Sequence, residues 1–113
     1  MNAIIIDDNI DKIRMIQFLI KPYVLFALHV NSLADALPLL TSMQFQMIFL
    51  DHHLPDGKGS EIVQTLKIVQ SEAKCISISN DLSIIKKYKQ LGYDDIIDLP
   101  FQKCLGRIFL HAM

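Results

Sequence analysis

Apolar positions along the chain follow two alternating rhythms. Short apolar-rich runs, too short for helices, occur at Ala3–Ile6, Tyr23–Val30, Met47–Leu50, Cys75–Ser79 and Ile96–Asp98. Such runs bounded by turn residues read as strands, the continuous ones buried on both faces. Between them apolar residues recur every three or four positions, the spacing of one helical face. Ile10, Ile13, Ile16 and Ile20 form the first stripe, with Asp8 or Asn9 to cap its start and Pro22 to stop it. Ser32 caps a second helix, with Asp35 placed to return the capping-box bond. Pro38 lies inside that pattern and is expected to kink the helix or end it early.

A third helix from about Ser60 carries Ile62, Leu66 and Val69 on one side, with Glu61 suited to its N-terminal dipole. A fourth, from about Ser83 to Leu91, presents Ile84, Tyr88 and Leu91 and ends at Gly92. A last helix begins near Gln102, with Leu105, Ile108, Phe109 and Ala112 facing inward. Five strand–helix units in succession call for a parallel sheet covered on both faces by right-handed crossovers. Periodicity leaves the strand order open.

Two strands end in acid. Ala3–Ile6 runs into Asp7-Asp8, and Met47–Leu50 into Asp51. The C-terminal ends of strands border the ligand crevice of an open α/β sheet. After Asp51, Pro55 presets a turn, and Asp56 and Gly57 supply its polar and permissive positions.

With 113 residues, 51% of them hydrophobic, the chain is read as one folded domain, residues 1–113. Eleven basic against twelve acidic residues, net −1, give no nucleic-acid footprint. No apolar stretch reaches the length of a membrane span and no leader is evident, so a cytoplasmic protein is expected. Cys75 and Cys104 lack neighbours at metal-ligand spacing and read as free thiols in a reducing compartment. His52 and His53 are adjacent on an extended segment and point apart, which argues against a zinc site.

The stretch Leu50-Asp51-His52-His53-Leu54-Pro55-Asp56-Gly57, together with Asp7-Asp8 and Pro100-Phe101, resembles the receiver domain of bacterial two-component response regulators over essentially the whole chain. The resemblance implies a flavodoxin-like, doubly wound five-stranded sheet of order 2-1-3-4-5, (βα)5, which brings Asp7, Asp8 and Asp51 together. Clustered carboxylates repel and raise each other's pKa unless a cation relieves them. Oxygen-only ligands favour Mg²⁺. By resemblance, Asp7 and Asp8 hold the metal, Asp51 is both ligand and phosphoacceptor, and the His53 backbone carbonyl completes the protein's ligands.

The implied reaction moves a phosphoryl group to Asp51 from a phosphohistidine on a sensor kinase or phosphotransfer protein, or from a small acyl phosphate. The chain is then a signalling module rather than an enzyme, acting only on its own aspartate. A switch hydroxyl is implied at the end of the fourth strand. Ser79 is the choice, as the last residue of Ile76-Ser77-Ile78-Ser79 before the polar loop Asn80-Asp81; spacing from Asp51 agrees with it, whereas spacing back from Pro100 favours Ser77. The family lysine before the proline is Leu99 here, and the switch aromatic is absent from Ile96-Ile97-Asp98. Lys58 and Lys103 are the nearest replacements in sequence. Side-chain His53 is expected over the acceptor or in solvent. Output is expected through docking to a downstream protein by the fourth helix, fifth strand and fifth helix. There Leu105, Phe109, Leu110 and Met113 exceed one buried stripe and suit a partner helix or a second copy. A degenerate receiver that docks without phosphorylation is the alternative.

Overall fold

β1 (Asn2–Ile6) occupies the centre of the sheet, since every side chain from Ala3 to Ile6 is fully buried and neither face meets water. The computed structural model describes residues 1–79 and 81–98. After β1 come α1 (Ile10–Ile20), β2 (Phe26–Val30), α2 (Leu33–Ser42) and β3 (Met47–Asp51). A small hairpin of β4 (His53–Leu54) and β5 (Gly57–Lys58) follows, then α3 (Val63–Val69), β6 (Lys74–Ser79), α4 (Leu82–Lys87) and β7 (Asp95–Asp98). The main sheet is β2-β1-β3-β6-β7, with all four pairings parallel. This is the order expected for the five main strands, the hairpin standing outside the sheet.

Alternation along the strands divides the core in two. Ala3, Ile5, Met47, Phe49, Ile76, Ile78 and Ile97 pack against Ile13, Ile16 and Ile20 of α1. Ile4, Ile6, Ile48, Leu50 and Cys75 face α2 and α3 on the other side, through Ala36, Leu40, Val63 and Leu66. Each fully buried aliphatic side chain contributes roughly 1.5–3 kcal/mol of transfer free energy. The three isoleucines are the buried face by which α1 seats on the sheet.

Several boundaries differ from the sequence expectation. β2 begins at Phe26 rather than Tyr23, because its only partner β1 begins opposite Phe26 at Asn2. Tyr23 instead closes a turn on the Ile20 carbonyl. α2 does not end at Pro38 but continues to Ser42. Proline removes a hydrogen bond, yet buried Ala36 and Leu40 hold the helix to the sheet on both sides of it. The Thr41 and Ser42 hydroxyls donate to the Pro38 carbonyl just behind them.

α3 starts at Val63, after a 3-10 turn at Gly59–Glu61. The later start turns Val63 and Leu66 inward and leaves Val69 43% exposed, so Val69 is not on the buried face. α4 stops at Lys87, short of Leu91, although Tyr88 and Leu91 still pack on the core. The Tyr93 N–H bonds the Tyr88 carbonyl across the turn, and Gly92 takes the left-handed φ of +103° that this reversal requires. Leu99, Pro100, Phe101, Lys103, Cys104 and the last helix, with its docking residues Leu105, Phe109, Leu110 and Met113, lie outside the described residues. No helix among the described residues is long and apolar enough to cross a membrane.

Candidate functional site

β1 and β3 are direct neighbours, with Ile6 opposite Leu50, so the acids after each strand emerge at the same end of the sheet. One carboxylate oxygen each from Asp7, Asp8 and Asp51 lies within 4.8 Å of the others. Asp7 is completely buried, Asp51 nearly so, and Asp8 is exposed. The cluster thus has a dry floor and a wet rim. Asp7 Oδ1 accepts the Asn9 N–H at 2.9 Å, and Asn9 in turn caps α1 by accepting the N–H groups of Asp11 and Lys12. Asp7 Oδ2 is buried and meets no backbone N–H among the described residues.

α1 brings a lysine into this cluster. Lys12 Nζ lies 3.0 Å from Asp7 Oδ2 and 3.4 Å from Asp51 Oδ2. Sequence reading missed it while considering Lys58 and Lys103 near Asp51. The signal was present: Lys12 precedes Ile13 by one position and Ile16 by four, at the edge of the buried stripe and in the turn that follows Asp7-Asp8. Lys58 is exposed on β5.

Burial, followed by the negative charge of Asp7, pushes the Asp51 carboxyl up from 3.8 to about 6. Lys12 and a hydrogen bond from the His53 backbone N–H pull the other way without cancelling it. Between about pH 4 and 6 the unfolded state has released the Asp51 proton while the folded state keeps it, so stability falls as pH rises through that window. In metal-free buffer, urea midpoints of the wild type should decline relative to Asp51→Asn across that range. Parallel profiles would contradict the perturbed carboxyl.

β6 supplies the opposite wall. Asp51 pairs in register with Ile78, which leaves Ser79 one residue beyond, at the crevice end, while Ser77 sits opposite Leu50 inside the sheet. Both serines are buried. Ser79 Oγ accepts the Asp81 N–H at 2.9 Å, whereas Ser77 Oγ has no hydrogen-bond partner among the described residues. His53 leans across the rim, its Nε2 3.3 Å from Asp81 Oδ2, in an exposed contact of small energetic weight. His52 is buried, and burial lowers its pKa from the usual imidazole value. The two imidazoles do not simply diverge: they meet edge to face at 4.8 Å. Among the described residues the only metal-compatible cluster is the three aspartates. Cys75 is a free buried thiol whose pKa burial lifts to about 12, which makes it unreactive.

The acceptor loop is held from two directions. The Gly59 N–H bonds the His52 carbonyl at 2.8 Å, and Gly59 itself packs against the Asp51 carbonyl with no room for a side chain. Asp56 reaches across the loop to accept the N–H groups of Leu33 and Ala34 at 2.9 Å, which caps α2 and keeps its carboxyl below the usual range.

The sequence profile described as response regulator receiver domain matches residues 3–105. The chain belongs to the response regulator receiver domain family. Among solved structures, a CheY-like receiver domain from Methylobacillus flagellatus superposes with a TM-score of 0.86 at 22% identity, covering 100% of this chain and 98% of that one. The receiver domain of a Pseudomonas aeruginosa sensor histidine kinase, with a magnesium ion coordinated in its active site cleft, gives 0.80 at 16% identity over 97% and 94%. The Thermotoga maritima response regulator DrrB gives 0.78 at 25% identity, covering 97% of this chain and 52% of that one. Comparison with curated proteins yields no match. The five-stranded parallel sheet of this receiver domain has the fold of these structures.

Proposed function

We propose that this receiver domain is a phosphoacceptor that takes a phosphoryl group on Asp51 with Mg²⁺ bound, and signals by docking to other proteins. The observation that carries the reading is the convergence of Asp7, Asp8 and Asp51 at the ends of β1 and β3. The donor set fits the metal: three carboxylates and no sulfur or imidazole suit a hard cation. Asp7, Asp8, Asp51 and the His53 backbone carbonyl would hold it. When bound, Mg²⁺ neutralises charge on the transferring oxygens.

The chain's own groups then have defined tasks. A carboxylate oxygen of Asp51 attacks phosphorus in line with the leaving group, forming the aspartyl phosphate. From a phosphohistidine the P–N bond breaks and the imidazole departs with a proton; from an acyl phosphate the carboxylate departs. Positioning dominates such a transfer, and the rigid β3 end provides it. Ser79, one residue past the partner of Asp51, is the hydroxyl suited to bond the new phosphoryl oxygens. Sensor histidine kinases or phosphotransfer proteins are the matching cytoplasmic donors.

Intact mass after incubation with a small acyl phosphate tests this. Wild type should gain one phosphoryl group only with Mg²⁺, and Asp51→Ala should gain none. A second reading, docking without phosphorylation, draws on Lys12, which already offsets the acids without a metal. No gain from acyl phosphate or from any kinase would favour it.

A further inference from the structure

Lys12 stands in the first turn of α1, the end of a helix where the dipole disfavours a cation. Helix energetics therefore do not explain its place; the aspartates do. Asn9 fixes the lysine's own backbone by accepting its N–H at 3.1 Å, so the stem starts from a set point and its head reaches the dry floor of the site. The Lys12 side chain is 21% exposed, against 0% for Asp7 and 8% for Asp51. Its Nζ bridges one oxygen of each acid, and the bridged Asp7 oxygen is buried with no backbone N–H beside it.

We propose that Lys12 is a built-in counter-cation that occupies the ground between Asp7 and Asp51 in the metal-free protein, so that a divalent ion must displace it to bind. The inference rests on the metal-binding reading of the site. Mg²⁺ needs carboxylate oxygens at about 2.1 Å, and it would draw them from the same Asp7 and Asp51 carboxylates that Lys12 already contacts. An ammonium and a dication sharing these carboxylates would repel each other, the more so on the dry floor of the site. The flexible four-carbon stem and partial exposure give Lys12 a route out to solvent. Two states result. In one the lysine is in and the acids are offset internally. In the other the metal is in and the lysine is free at the rim, within reach of a phosphoryl group on Asp51.

Calorimetric titration with Mg²⁺ tests the displacement. Lys12→Met should tighten Mg²⁺ binding about tenfold, or about 1.4 kcal/mol, and Lys12→Gln should do the same. Lys58→Met, which removes an exposed cation from the neighbouring hairpin, should change affinity less than twofold. Circular dichroism would confirm that each variant is folded. In the wild type, the Lys12 side-chain ¹³Cε resonance should shift and sharpen as Mg²⁺ is added, a readout independent of any phosphorylation. Equal affinities for wild type and both Lys12 variants, with an unmoved Lys12 resonance, would overturn the displacement while leaving the metal site intact. Binding by none of the proteins would overturn the metal reading itself and this inference with it.

Discussion

Gly59→Ala is expected to destabilise the protein by about 3 kcal/mol and to slow phosphoryl uptake at Asp51. A Cβ at this position would lie 2.4 Å from the Asp51 carbonyl oxygen, 2.6 Å from the Tyr93 hydroxyl and 3.0 Å from Leu50 Cγ. None of these can yield cheaply. The Asp51 carbonyl belongs to a strand paired on both sides, Leu50 is fully buried and Tyr93 is 2% exposed. The backbone must therefore shift, and the residue most directly displaced is the acceptor. Urea unfolding and the rate of mass gain from an acyl phosphate would measure the two effects, with exposed Lys58→Ala as a near-neutral control. A variant within about 0.5 kcal/mol of wild type, the range of ordinary surface changes, would mean that the loop is elastic and that Gly59 is not needed for close approach.

The second large effect lies away from the acids. Gln70→Leu should lower stability by about 3 kcal/mol or more, although it keeps the side chain's size and adds apolar surface. Gln70 is 1% exposed at the end of α3. Its Nε2 donates to the Leu40 and Met43 carbonyls at 2.7 and 2.6 Å, and its Oε1 accepts the Phe45 N–H at 3.0 Å. One amide thus satisfies three backbone groups where α2 gives way to β3. Leucine would leave all three without partners, each costing about 1–3 kcal/mol unless water enters. Gln70→Glu adds a diagnostic: an ionised carboxylate facing two carbonyls should be worse at neutral than at acid pH. A Gln70→Leu protein as stable as wild type would show that water replaces the amide freely. The same substitution should leave Mg²⁺ affinity nearly unchanged, because the bonds it removes lie at the α2–β3 junction rather than among the aspartates.

The clustering of the three aspartates was legible in the sequence. Asp7, Asp8 and Asp51 could be picked out because each follows a buried strand, and strand ends are where this architecture collects polar groups. Choosing between Ser77 and Ser79 was different. Ser79 was preferred for its place at the strand end, although counts forward from Asp51 and back from Pro100 disagreed; in the sheet register Ile78 lies opposite Asp51 and Ser79 one residue beyond it. The positive charge near the acids was also misjudged. Attention went to lysines close to Asp51 or Pro100 in sequence, whereas Lys12 reaches Asp51 from 39 positions earlier, on a helix packed over the same sheet face.

What the sequence by itself determined was the succession of strands and helices, the burial of both faces of β1 and β3, and the acids at their ends. These follow from local periodicity: a run of four apolar residues or a stripe at three-and-four spacing states its environment without reference to distant segments. The tertiary structure alone decided which polar groups meet. Asp56 caps α2 from more than twenty residues away, Gln70 serves the end of that helix from another, and α2 survives Pro38 because Ala36 and Leu40 are held by the sheet. Lys12 belongs with them. Its partners depend on how α1 docks across β1 and β3, and a side chain of four carbons selects its counter-ion only after that docking has set the distances.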